Sequence, residues 1–208
     1  MRTLTLYSNP QSRGRIVRWM LEEIGVDYEI EILEFGEHIK SEQFLAINPM
    51  GKVPAIKHRD TIVTEVAAIC AYLADQFPEE NLAPGRSDPL RGDYYRWLFF
   101  CAGPLEMAMS AISNNWKVDQ DNAMSLSCGF LADTVNVLES ALRKGPYICG
   151  EQFTAADVLL ASTLGWAMFQ KTFEARPVFT EYVNRCEARP AAKRANELDD
   201  ALMSKKAS

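Results

Sequence analysis

The sequence predicts an α/β unit of order βαβ-α-ββ-α followed by an all-α unit. Three observations carry this. Two stretches of alternating apolar and polar residues, 3–7 and 28–33, flank a segment of helical period. Chain breakers gather between Pro78 and Pro89. Beyond Pro89 no convincing strand alternation occurs, and apolar residues recur at helical spacing.

Each element has a local reason. Thr3-Leu4-Thr5-Leu6-Tyr7 has the period of a half-buried strand, and Ser8-Asn9-Pro10-Gln11-Ser12 ends it with turn chemistry. Ile16, Met20 and Ile24, with Val17 and Leu21, then fall on one helical face that Gly25 closes. Residues 28–33 alternate again, completing a βαβ unit whose crossover is expected to be right-handed. Residues 41–47 form a short helix candidate. Residues 53–57 and 61–63 read as strands joined by His58-Arg59-Asp60, and 65–77 as a helix. These elements make a small sheet with helices on both faces. Helices are expected at 89–113, 119–143, 154–169, 177–187 and 190–203. The domain division is therefore 1–79, a linker at 80–88, and 89–208.

Composition narrows the function. The chain has 208 residues, 48% hydrophobic and 24% charged, which excludes a disordered tail protein. A net charge of −6, from 22 basic and 28 acidic residues, argues against nucleic acid or an anionic membrane as the main partner. The start carries no pattern of a secretory signal. The most apolar stretch, 97–112, is broken by Gly103-Pro104 and Glu106 and reads as a buried helix with a break. The five cysteines are odd in number and lack Cys-x-x-Cys spacing, so buried free thiols in a reducing cytosol are expected. His38 and His58 lack metal-ligand spacing and read as surface residues; no metal is expected.

Three segments carry chemistry. Pro54, opening a strand after a Gly-containing loop, is either an ordinary edge proline or a cis residue. A cis bond there would free the Val53 N–H and C=O to pair with an extended peptide ligand. Thr64-Glu65 opens a helix, either as a plain cap and first-turn acid or as a site for a carboxylate, with Glu65 accepting from a ligand ammonium. Ser12, before Arg13-Gly14-Arg15, either caps the first helix or donates to an anion held at the helix end. A thiol bound there would lose its proton more readily.

Taken together, Leu6-Tyr7 followed by Pro10-Gln11-Ser12, the Asn48-Pro49…Gly51-Lys52-Val53-Pro54 loop, Glu65-Val66-Ala67-Ala68-Ile69 and Gly150-Glu151-Gln152-Phe153-Thr154-Ala155-Ala156-Asp157 resemble the cytosolic glutathione S-transferases over essentially the whole chain. Thr154 and Asp157 match that family's capping box. The N-terminal pattern is similar to the serine type of plant phi-like and yeast-like members in a bacterial-type chain. The resemblance implies a thioredoxin-like first domain, a helical second domain and a homodimer in the cytoplasm. Glutathione is implied as co-substrate, contacting Asn9, Val53, Pro54, Glu65, Val66, Lys40 and Lys52. A small hydrophobic electrophile is implied against Tyr94, Trp97, Phe100 and Cys101. Ser12 is the implied sulfur donor, helped by Arg13, with Tyr7 as runner-up. Where the family usually has Glu-Ser, this chain has Glu65-Val66, and the lost hydroxyl implies weaker glutathione binding. The implied activity is thiolate attack on the electrophile. Glutathione-dependent peroxide or disulfide reduction, and a non-catalytic binding protein on the same fold, are the rival readings.

Overall fold

The computed structural model describes residues 4–172 and 174–206, so Thr3 of the expected first strand lies outside the described residues. Along the chain run β1 (Leu4–Ser8), α1 (Gly14–Ile24), β2 (Glu29–Ile32), α2 (Glu42–Leu45), β3 (Ala55–His58), β4 (Thr61–Thr64), α3 (Val66–Gln76), α4 (Leu90–Phe100), α5 (Glu106–Ser113), α6 (Leu131–Leu142), α7 (Ala155–Phe169), α8 (Pro177–Glu187) and α9 (Pro190–Lys206). The described residues fall into two compact units, one within 1–80 plus 188–208, the other within 81–187.

In the first unit the sheet order is β2-β1-β3-β4, with β1 parallel to β2 and the other neighbours antiparallel. Leu4, Leu6 and Ser8 occupy the buried positions of β1. On the opposite face Tyr7 joins Leu33, Phe44, Ala55, Ile39, Ile47 and Val53 in an apolar cluster. The amphipathic α1 buries Ile16, Val17, Met20, Leu21 and Ile24, and Gly25 ends it at φ 71°. Only a glycine adopts that conformation at no steric cost.

The last helix, α9, packs on α1 and so belongs to this unit. Charge pairs fasten it and the residue before it: Arg15–Asp200 at 2.9 Å, Glu22–Arg194 at 3.2 Å and Arg18–Asp199 at 3.1 Å on the helix, and Glu23–Arg189 at 2.7 Å just ahead of it. The Arg18–Asp199 pair is buried. Burial pushes the Asp199 carboxyl above its ordinary range, against the pull of Arg18 and Arg15.

In the helical unit, α4 continues through a π-helical turn at Cys101–Leu105 into α5, so Gly103-Pro104 widens the helix without ending it. Helix α7 is buried nearly all round, with Val158, Leu160, Ala161 and Leu164 inaccessible. A capping box starts it: Thr154 N–H and hydroxyl donate to Asp157 Oδ2 at 2.8 and 3.0 Å. Asp157 Oδ1 accepts from Ile148 N–H at 2.8 Å and from Tyr182 hydroxyl at 2.9 Å.

Two expectations are corrected. The helix expected at 119–143 begins only at Leu131. Upstream, Asp119, Asn122 and Ser125 turn their side chains onto nearby backbone, and Gly129 takes φ 55°. Such local bonds compete with the helical ladder. His58 is no surface residue: it is 5% exposed, stacked on Phe77 at 5.8 Å, with Nδ1 3.1 Å from the Tyr72 hydroxyl. His38 is exposed, and all five cysteines are free and buried.

Candidate functional site

Strand register brings the three chemistry-bearing segments to one end of the sheet. Tyr7 pairs with Ala55 and Ala55 with Thr64. Residues 8–12, 52–54 and 65–66 therefore continue from three adjacent strands at the same edge. Helices α1 and α3 both begin there, so two positive helix ends meet the site.

At the start of α1 the Ser12 hydroxyl donates to the Asn9 carbonyl at 2.7 Å and accepts from Gly14 N–H at 2.9 Å. The same Asn9 carbonyl already accepts from Ser12 N–H at 2.9 Å. Ser12 is half-buried and Arg13, in the cap position, is exposed. Arg15 turns away to Asp200 and Asn196, so its charge is spent on α9.

The loop before β3 is shaped by Asn48, 4% exposed. Asn48 Nδ2 donates to Lys52 O at 2.7 Å, its Oδ1 accepts from Met50 N–H at 3.1 Å, and its carbonyl accepts from Gly51 N–H at 2.8 Å. Gly51 has φ 58°, and a Cβ there would lie 2.6 Å from Ile39 O and 2.7 Å from Lys40 Nζ. Lys40 thus lies over the loop, donating to Met50 O at 2.8 Å, beside exposed Lys52. The Val53–Pro54 peptide is cis. No hydrogen bond among the described residues takes up the Val53 N–H or C=O. That backbone is open to an extended ligand.

Thr64 ends β4 and does not cap α3; Glu65 holds the cap position at φ 67°, ψ 120° with no side-chain capping bond. A non-glycine residue held there costs about 1–3 kcal/mol, and such outliers cluster at ligand sites. The exposed Glu65 carboxylate and the Val66 N–H stand together at the helix end. An ammonium and a carboxylate on one ligand fit that pair.

Some expected contacts are placed elsewhere. Asn9 is inaccessible, its Nδ2 donating to Leu33 O at 2.7 Å and its Oδ1 accepting from Gln11 N–H at 2.9 Å, so its amide shapes the turn and does not face a ligand. Tyr7 packs 5.9 Å from the Phe44 ring. Burial, then Glu31, raises its hydroxyl pKa, which weakens it as a donor. In the helical unit Tyr94, Trp97 and Cys101 are 0%, 3% and 1% exposed, and Phe100 is half-buried. They are core first, because the aromatic stripe of α4 faces its helical neighbours. Trp97 still borders a cavity of about 350 Å³ with Arg96, Asp133, Asn136 and Lys144. A second cavity, about 430 Å³, lies among Ala108, Ile112, Trp116 and Cys128. Among the described residues no group of three His, Cys, Asp or Glu could hold a metal, and no helix is long and apolar enough to cross a membrane.

Two residues of the site escaped the reading of the sequence. Ser8 is 1% exposed with a hydroxyl that has no hydrogen-bond partner among the described residues. Leaving a hydroxyl so costs about 1–3 kcal/mol. A polar residue in the third buried position of β1, after Leu4 and Leu6, was the available signal. Asn48 opens the loop quoted for the family resemblance, but that motif assigns its side chain no role.

The chain is similar to known proteins over most of its length. Residues 2–75 match the glutathione S-transferase N-terminal domain and residues 131–193 the C-terminal domain. Glutathione S-transferase A of Pleuronectes platessa is 30% identical over 186 residues, covering 84% of this chain and 82% of that one. A glutathione transferase crystal structure from Methylococcus capsulatus superposes with TM-score 0.79 at 27% identity, covering 95% of this chain and 99% of the other. A glutathione transferase homologue from Sulfitobacter, solved with bound glutathione, superposes with TM-score 0.76 at 27% identity, covering 95% and 98%.

Proposed function

The chain belongs to the glutathione S-transferase family, and from that premise we propose that it binds glutathione at the edge of its thioredoxin-like sheet and activates the thiol through Ser12. The observation that carries this is the doubly bonded Asn9 carbonyl. Because Ser12 N–H already satisfies it, the Ser12 hydroxyl hydrogen can turn from Asn9 to a sulfur at small cost. Gly14 N–H keeps the Ser12 oxygen in place throughout.

Glutathione lies extended, its cysteinyl backbone paired with Val53 beside cis-Pro54. Its γ-glutamyl ammonium meets Glu65, and its γ-glutamyl carboxylate the Val66 N–H at the α3 end. Its glycine carboxylate lies near Lys40 and Lys52. A hydrogen bond from Ser12 and the positive end of α1, with Arg13 nearby, lower the thiol pKa from its reference of about 8.5. The thiolate attacks the electrophilic carbon of a small apolar substrate, forming the S–C bond as the leaving group departs or as the electrons move into the acceptor. No covalent intermediate on the enzyme is involved. Five buried free thiols favour a reducing compartment, the cytoplasm, and the working assembly is a homodimer.

The test is Ser12→Ala, followed by ultraviolet absorbance of bound thiolate and by turnover of an aryl halide. Turnover and the thiolate band should fall by about 10–100-fold, as for loss of one hydrogen bond to a charged group worth about 1.5–3 kcal/mol, while glutathione affinity changes far less. Equal loss of turnover and affinity would reduce Ser12 to a binding or capping residue.

A further inference from the structure

We propose that the buried Ser8 hydroxyl is a positioning residue for the sulfur site, donating to Ser12 Oγ when the Ser12 hydrogen turns to the thiolate. The inference rests on the assignment of Ser12 as sulfur donor and adds a second member to the same hydrogen-bond chain.

The argument begins with β1. Its inward positions are Leu4, Leu6 and Ser8, and an apolar side chain is what that pattern demands at the third. Ser8 instead places a hydroxyl there, 1% exposed and without a hydrogen-bond partner among the described residues. Alanine would fill nearly the same space without leaving an unpaired donor.

The position of the hydroxyl is specific. A Cβ built on Gly14 would fall 1.8 Å from Ser8 Oγ and 3.0 Å from Ser12 Oγ. The two hydroxyls therefore flank the same point at the mouth of α1. Only glycine at position 14 leaves room for Ser8 Oγ there. Gly14 N–H already donates to Ser12 Oγ, so the strand end, the helix start and Ser12 converge on one point.

At rest Ser12 Oγ gives its hydrogen to the Asn9 carbonyl and accepts one bond, from Gly14 N–H. A serine oxygen has a second lone pair to offer. When its hydrogen is drawn to a thiolate, negative density grows on that oxygen and a second donor strengthens the whole chain. Ser8 O–H is the neighbouring donor with no bond to give up. A side-chain rotation of Ser8 completes Ser8 → Ser12 → sulfur. No proton is transferred along it and no covalent bond changes; the chain makes Ser12 a better donor.

Full-length Ser8→Ala, Ser12→Ala and the double variant test this by pH titration of the thiolate absorbance of bound glutathione, with melting temperature measured alongside. Ser8→Ala should cut the thiolate fraction near pH 6.5 by about two- to threefold, as expected for one lost cooperative bond. Its glutathione affinity should stay within about twofold and its melting temperature should not fall, because an unpaired buried hydroxyl has been removed. In the Ser12→Ala background the Ser8 substitution should do nothing further. Ser8→Cys, which is somewhat larger and supplies only a weak donor, should fall between wild type and Ser8→Ala. An unchanged titration in Ser8→Ala, with Ser12→Ala still effective, overturns the inference and leaves Ser8 a packing residue. Should Ser12→Ala itself leave the thiolate band intact, the Ser12 assignment fails, which is a separate result.

Discussion

Glu65→Gly should stabilise the fold and weaken the enzyme at once. Glu65 holds φ 67°, ψ 120° at the start of α3, a conformation that costs a non-glycine residue about 1–3 kcal/mol. Glycine relieves that strain but loses about 0.5–1 kcal/mol more backbone entropy on folding. It also removes a carboxylate from a positive helix end, a further loss of about 0.3–1 kcal/mol. At mid-range values the net gain is about 0.6 kcal/mol, a rise of roughly 1–2 °C in melting temperature for a chain of this size. Glu65→Ala is the control: it loses the same carboxylate, keeps the strain, and should melt below both. If the carboxylate receives the glutathione ammonium, both variants lose a charge-assisted bond of about 1.5–3 kcal/mol, or roughly 10–150-fold in affinity. Scanning calorimetry and titration calorimetry on the three proteins give both quantities. A glycine variant that melts below the alanine one refutes the strain argument, and undiminished glutathione affinity refutes the ligand role.

Three further outcomes are expected. Val66→Ser, restoring a hydroxyl donor beside Glu65, should tighten glutathione binding by a few-fold to about tenfold in the same titration. Asp157→Ala strands the Ile148 N–H, the Thr154 N–H and the Tyr182 hydroxyl in the core of the helical unit, and should cost about 3–5 kcal/mol in urea unfolding. His58 is held below the ordinary histidine pKa by burial and then by Arg59, so its neutral form is favoured in the fold. Its contribution is fully present above about pH 6.5, the unfolded value, and is lost as pH falls through the lowered folded value. In His58→Gln the melting temperature should therefore fall less steeply below about pH 6.5 than in wild type.

Much of this was legible in the residues because it rests on period and punctuation. The Leu4-Leu6 alternation, the Ile16–Met20–Ile24 face closed by Gly25, and the Thr154/Asp157 box each impose their element locally. Pro54 and Glu65 could be picked out, yet their backbone geometry is settled by tertiary context, since neither a cis bond nor a positive φ is written in one residue. Composition misled where polar side chains could bond locally: 119–130 has helical spacing, but Asp119, Asn122 and Ser125 use their own backbone instead. The aromatic run at Tyr94, Trp97 and Phe100 shows a related ambiguity. A stripe that can line a pocket can equally be core, and burial decides for Tyr94 and Trp97. Ser8 shows the opposite failure, a functional candidate hidden because the pattern around it is apolar.

The packing of α9 on α1 sets an order of events during synthesis. The first unit draws on segments on both sides of the helical unit, which is continuous between them. A ribosome releases the strands and α1 early, but the partners of Arg15, Arg18, Glu22 and Glu23 emerge only with residues 189–200. Until then the cationic side chain of Arg18, destined for burial, has no carboxylate at Asp199 to meet it. The helical unit has all its own residues in hand sooner, so the segment translated first is the one completed last.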